Sequence, residues 1–356
     1  MRKPAPIKHH AKVVSFLLRD SRTEEADQGV GCGPGGPPHR GPPHYESRPE
    51  VTIGLMRIGA ALAAVALAWP AAAQQDARQK ALARLAEEAE AFFSAAPRVV
   101  GVETLRQKVV QRAARFRPRV GSDAAPPALK YKTREIVSEY GYATLRDSPG
   151  ALHEFREVTK VDGRQVVTQE TARKTLTLGV ISQDDRLKKR MLERFEKHGL
   201  VGAATDFGQV LLLFGKRRLG DYEFEPAGKG RVRDVDALGL IYRQTVGKET
   251  ITIFEGRKVI RRPLQGELWL RESDYLPLRV ILTASREQGD NVVVDEATVD
   301  YAMSRFGVLL PESVVHRQRV AGQVVVENSF QYSSYRMFSA EAEIKFKEIP
   351  PGEAKP

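Results

Sequence analysis

From residue 221 to residue 348 the chain reads as one strand segment after another. The candidates are DYEFE, LGLIYRQTV, TITIFEG, LQGELWLRES, LPLRVILTAS, VVVDEATVDYAM, VLLPESVVHRQRV, QVVVENSFQYSSY and EAEIKFKEI. All draw on β-branched and aromatic residues, which suit a pleated, half-buried surface. The breaks between them are short, such as Val246-Gly247-Lys248-Glu249, Gln288-Gly289-Asp290-Asn291 and Ala321-Gly322. Breaks of that length join antiparallel neighbours, since a parallel pair needs a crossover of about a dozen residues or more.

Several of these strands carry two distinct faces. Val324, Val326, Phe330 and Tyr332 oppose Gln323, Glu327 and Gln331, and Leu276, Leu278, Val280 and Leu282 oppose Arg279 and Thr283. One apolar and one wet face describe an antiparallel sheet covered on one side.

Upstream, DARQKALARLAEEAEAFFSAA (76–96) places Ala81, Leu82, Leu85, Ala89, Phe92 and Phe93 near a helical stripe, with Asp76 as candidate N-cap and Pro97 ending it. A strand is expected over Val99–Gln111, with Gln107–Ala114 open to a helical reading, and Pro118–Pro127 is a loop. Thr133–Arg146 and Ala151–Val161 read as strands. Asp162-Gly163 is a hairpin turn from which RQVVTQETA returns. Residues 184–214 break the β pattern. DDRLKKRMLERFEKHGL begins acidic and ends in His198-Gly199, which suits the helix dipole and a glycine C-cap. Thr205–Phe214 reads as a second, more apolar helix. The expected fold is mainly β (α+β). It is a single strongly curved antiparallel sheet, half-barrel-like, with about three helices over the concave face.

The N-terminal part places the chain in a compartment. Met56–Ala73, MRIGAALAAVALAWPAAA, has Arg57 as a basic start, Ile58–Trp69 as an apolar core and Ala71-Ala72-Ala73 as a small-residue cleavage site. It reads as a secretory signal cut after Ala73. Its apolar core falls short of the about 20 residues a membrane span needs. Residues 1–55, with the Gly/Pro-rich run Gly29–His44, read as an extension that is disordered or precedes the true start at Met56. Residues 74–356 then form one β-rich periplasmic or secreted domain carrying the helical insertion 184–214.

Of 56 Lys+Arg and 45 Asp+Glu, 9 and 6 lie before residue 74, leaving 47 against 39, a formal net charge of +8 for residues 74–356. Acidic residues are interspersed throughout, so a mixed solvated surface is expected; Lys188-Lys189-Arg190, Arg217-Arg218 and Arg261-Arg262 could meet an anionic membrane surface. No nucleic-acid motif is present. The only cysteine, Cys32, precedes the cleavage site, which excludes a disulfide or a thiol nucleophile from the processed chain.

Catalytic and metal motifs are weak. His153, His198 and His316 are the histidines after residue 74 and show no ligand spacing, so no metal and no cofactor is expected. There is no GxSxG or SxxK. Asp184-Asp185 reads as helix N-terminal charge. Asp295 and Glu296 point to opposite faces of a strand, so only one of them can reach the inner face. The remaining candidates are apolar: Leu211, Leu212, Phe214, Trp269, Phe330 and Tyr332 could line a cavity between sheet and helices, or be plain core.

Gly266–Ser285 and the closing stretch Val325–Phe346, VVENSFQYSSYRMFSAEAEIKF, together with the overall layout, resemble the LolA/LolB-like superfamily of periplasmic lipoprotein carriers and receptors. The resemblance implies an eleven-strand half barrel with helices as a lid and an acyl chain in an apolar cavity. The leading expectation is a non-enzymatic binding protein for lipid, acyl chain or lipoprotein, gated by 205–214. The alternatives are an envelope structural or interaction module with envelope-protein partners, and a secreted hydrolase with an unmarked site.

Overall fold

The structure is a computed structural model that describes residues 14–15, 71–111, 129–146, 148–182, 184–200, 204–246, 251–255, 258–288 and 291–337. Residues 1–55, the signal segment as far as Pro70 and the expected last strand over 341–349 lie outside the described residues, apart from Val14–Ser15.

Eleven strands form one open antiparallel sheet. In chain order they are β1 (Val99–Val110), β2 (Tyr131–Leu145), β3 (Ser148–Val161), the two-residue β4 (Arg164–Gln165), β5 (Tyr222–Val232) and β6 (Val235–Gln244). A separate hairpin, β7 (Ile251–Glu255) and β8 (Lys258–Arg262), precedes β9 (Gln265–Arg271), β10 (Pro277–Gln288), β11 (Asn291–Met303), β12 (Leu309–Val320) and β13 (Gln323–Met337). The spatial order is β4-β3-β2-β1-β13-β12-β11-β10-β9-β6-β5. Two meanders therefore meet where β13 pairs with β1.

This order has a consequence for residues 166–221. The chain leaves β4 at one edge of the sheet and must begin β5 at the other. The excursion contains helices α2 (Gln169–Ile181) and α3 (Asp185–His198), then a strap, 204–221, with short 3-10 turns at Val210–Phe214 and Leu219–Asp221. Helix α1 (Ala71–Ala95) packs on this strap and on β12. Its Ala81, Leu85, Ala89 and Phe92 enter the main core, as their spacing requires. Burying side chains such as Leu85 and Phe92 stabilises the fold by roughly 1.5–3 kcal/mol each.

The helices divide between the two faces. A smaller core of Val100, Ala143, Leu145, Phe155, Leu176, Val180 and Met191 joins α2 and α3 to the outer face of β2 and β3. The face opposite, the inner one, is covered by α1 and the strap, and Phe195 of α3 also enters this main core.

Two local expectations change. RQVVTQETA returns as strand for only two residues. Thr168 then caps α2, its Oγ1 accepting from Thr171 N at 3.3 Å. Three threonines in this helix lower its intrinsic propensity and hide it from a reading by pattern. Thr205–Phe214 is a strap and not a helix. Asp206 sits at φ 66°, outside helical space, and several strap amides donate to side chains of the sheet.

Candidate ligand-binding face

Alternation places Glu103, Leu105 and Gln107 of β1 on the inner face with Phe330 and Tyr332 of β13, and pairing aligns them in rows across the sheet. One row is apolar: Val314, Phe330, Leu105, Ile136 and Val161. Polar rows lie on either side of it.

On one side, His316, Asn328, Gln107 and Arg134 are register partners on four adjacent strands. His316 Nδ1 lies 3.0 Å from Asn328 Nδ2, and its Nε2 lies 3.2 Å from Asp295 Oδ1. Asp295 also accepts from Gln318 Nε2 at 3.0 Å and from Arg286 Nη1 at 2.9 Å. Burial pushes the Asp295 carboxyl up, but His316, Arg286 and Gln318 together hold it below the usual carboxylate range. Glu296 points the other way and pairs with Arg319. Gln107 accepts from Leu200 N at 2.7 Å and Arg134 donates to His198 O at 2.7 Å, which ties down the end of α3. Phe207 of the strap stacks on the His316 ring, centroids 5.0 Å apart.

On the other side lies a buried charge cluster. Arg156 donates from Nε and Nη2 to the two oxygens of Glu103, each at 2.7 Å, and from Nη2 to Glu154 Oε2. The rings of Phe195 and Tyr140 flank the guanidinium, centroids 5.0 and 5.2 Å away. Burial raises the Glu103 pKa, with Arg156 opposing. Burial would lower that of Arg156, but Glu103 and Glu154 hold it charged. The hydroxyls of Tyr140, Tyr142 and Tyr332 are pushed well above their ordinary range, chiefly by burial, so they remain protonated donors.

Glu154 joins this cluster to the strap. Its Oε1 accepts from Tyr140 Oη at 2.8 Å and Gly208 N at 2.7 Å, and its Oε2 accepts from Asp206 N at 2.8 Å. Tyr301 Oη accepts from Leu211 N at 3.0 Å and donates to Gly208 O at 3.1 Å. Position 208 is tight against side-chain ends of the sheet. A Cβ there would stand 2.7 Å from Glu154 Oε1, 2.8 Å from Tyr140 Oη and 2.9 Å from Tyr142 Oη. Between these latches Phe207, Val210, Leu211, Leu213 and Phe214 fill the apolar part of the inner face. Gln209 is fully buried, yet neither side-chain amide atom has a hydrogen-bond partner among the described residues.

No protein-family model and no curated protein matches the chain. Solved structures do. A putative outer membrane lipoprotein-sorting protein domain from Vibrio parahaemolyticus is similar at 13% identity and a TM-score of 0.31, over 75% of this chain and 96% of that one. A DUF1329 family protein from Desulfovibrio piger is similar at 10% identity and 0.31, over 76% and 97%. A LolA superfamily protein from Nitrosomonas europaea is similar at 12% identity and 0.27, over 73% and 94%. The likeness is one of layout.

Of the six apolar candidates, the inner core brings together Leu211, Phe214, Phe330 and Tyr332, with Leu212 partly buried against them. Trp269 is separated from them. Leu268 and Leu270 take the inner positions of β9, so Trp269 stands on the outer face, packed where Gly239 has no side chain, with Nε1 donating to Glu267 at 2.9 Å. The Glu103–Arg156–Glu154 cluster escaped the sequence reading, because Glu103 lies 53 residues from Arg156 and meets the Glu154/Arg156 pair only through strand register. Asp295 carried a signal, being one of two adjacent acids of which one had to face inward. Among the described residues no group of three or more His, Cys, Asp or Glu side chains is arranged to hold a metal, and no helix is long and apolar enough to cross a membrane.

Proposed function

We propose that the chain is a non-enzymatic, extracytoplasmic binding protein for an acyl chain or similar lipid, taken up on the inner face in exchange for the strap. The observation that carries this reading is the way the strap is held. Its five apolar side chains occupy the inner face of an open sheet, and over residues 206–214 its amides are latched to sheet side chains at Glu154 and Tyr301. Gln209 adds a cost of about 1–3 kcal/mol for a buried amide without partners, which is relieved when the strap lifts. A lipid tail would replace one apolar surface by another, gaining about 25 cal/mol per Å² it buries. The signal-like segment Met56–Ala73 supports placement outside the cytoplasm.

The test is native mass spectrometry of the exported protein, followed by organic extraction. A bound lipid at fixed stoichiometry, together with loss of binding in folded Leu212→Asp, is the expected result. A bare protein mass with no uptake of a fluorescent fatty acid would overturn the reading in favour of an envelope interaction module.

A further inference from the structure

At one end of the sheet, the turn between β11 and β12 meets the end of β13. The two form a groove of about 460 Å³ lined by Ser304, Arg305, Phe306, Ser334, Tyr335 and Arg336. We propose that this groove binds the phosphate headgroup of an amphiphile whose tail enters the inner face, a proposal that rests on the lipid-binding reading above.

The lining contains two guanidiniums and no carboxylate. The Arg305 guanidinium lies over the Phe306 ring, 5.0 Å from its centroid, and spends one donor on Tyr335 O at 3.4 Å. It has no carboxylate partner among the described residues. Arg336 donates to Glu139 at 2.8 Å, but Glu139 also faces Arg173 at 3.6 Å. Two guanidiniums, Arg336 and Arg173, thus share the Glu139 carboxylate and Arg305 adds a third positive charge to the groove, which leaves a local excess of positive charge. The Ser304 hydroxyl oxygen accepts from Phe306 N and Val308 N, so its O–H is directed elsewhere. Planar guanidinium forks and hydroxyls suit phosphate oxygens.

The backbone is shaped to the same end. A register shift between Ser333 and Arg336 bulges β13, and Ser334 holds φ at 54°. A bulge re-aims side chains at the rim of a sheet. Here it turns Tyr335 over Gly101 and lets its Oη donate to Pro311 O at 2.8 Å. Tyr335, Val308 and Met337 pack against the main core, so the groove adjoins the apolar inner face. A headgroup in the groove would leave its tail pointing at that core.

The experiment measures binding of dodecyl phosphate, monododecanoylglycerol and inorganic phosphate to the full chain at low salt, below the micellar range. The expected result is a preference of about tenfold for dodecyl phosphate over the uncharged amphiphile, removed by Arg305→Gln while monododecanoylglycerol binding is retained. Ser304→Ala is expected to weaken the same preference. Equal affinities in the unmodified protein, or a preference that survives Arg305→Gln, overturn the proposal. If neither amphiphile binds, the lipid reading fails by itself and phosphate decides. Shifts of the Ser304 and Ser334 amide resonances that Arg305→Gln abolishes would keep the groove as a free-phosphate site. Their absence would overturn it.

Discussion

Arg156 and Glu103 face each other in a bidentate pair inside the sheet, with both N–O distances at 2.7 Å and side chains no more than 2% exposed. Glu154 leans on the same guanidinium, so two buried carboxylates depend on one cation. Arg156→Met should therefore cost about 3–5 kcal/mol, because it strands both carboxylates without a counter-charge. Urea unfolding would measure this. Adding Glu103→Gln should recover part of the loss, and a loss below about 1 kcal/mol in Arg156→Met would refute the pairing as a stabilising unit.

Gly208→Ala tests the latch. Its Cβ would crowd Glu154, Tyr140 and Tyr142, forcing the strap outward at a cost of about 1–3 kcal/mol. Hydrogen exchange should quicken at the amides of residues 206–214 while the strands β1, β2 and β13 stay protected. Uptake of a fluorescent fatty acid should rise. Unchanged exchange in the strap would mean that Gly208 is no part of its anchorage.

Asp295 sets a dependence on acid. Its carboxyl is held below the usual range in the folded chain, so the unfolded chain takes up a proton first as pH falls. Its contribution to stability is present above the ordinary carboxylate pKa, about 4, and is lost as pH falls through the lower folded value. Asp295→Asn should therefore flatten the acid limb of the stability curve below about pH 4. The difference between the two proteins isolates this group from Glu103, Glu88 and Glu157, whose pKa values burial raises and whose contributions have the opposite sign.

The faces of β9 give a contrast. Trp269→Phe alters the outer face and should leave lipid-probe affinity unchanged. Phe214→Ala removes a fully buried ring packed on Tyr222 and Tyr242 and should cost about 3–5 kcal/mol. Thermal unfolding and probe titration of both variants would check this. A binding loss in folded Trp269→Phe would contradict the assignment of faces.

Much of the strand pattern was legible because its signals are local. The alternation of Val326, Phe330 and Tyr332 and the turn at Ala321-Gly322 mark β13 and its boundary with no reference to the rest of the chain. Helix α1 was legible from the spacing of Leu85, Ala89 and Phe92. Helix α2 was not, because its threonines blur the helical signal that Thr168 announces. Trp269 was misplaced among the cavity residues because aromatic character says nothing about which face of a strand a residue takes.

By itself the sequence determined the antiparallel character of the sheet, the apolar and polar faces of its strands and the first helix, since spacings of two and of three to four residues are properties of the local chain. Only the tertiary structure decided that β13 pairs with β1, that the strap leading to β5 crosses the inner face, and that Glu154 holds it there. Those outcomes depend on register between strands far apart in the chain. The charge of Glu103, the aromatic rings around Arg156 and the amides of the strap acquire partners only once that register is set.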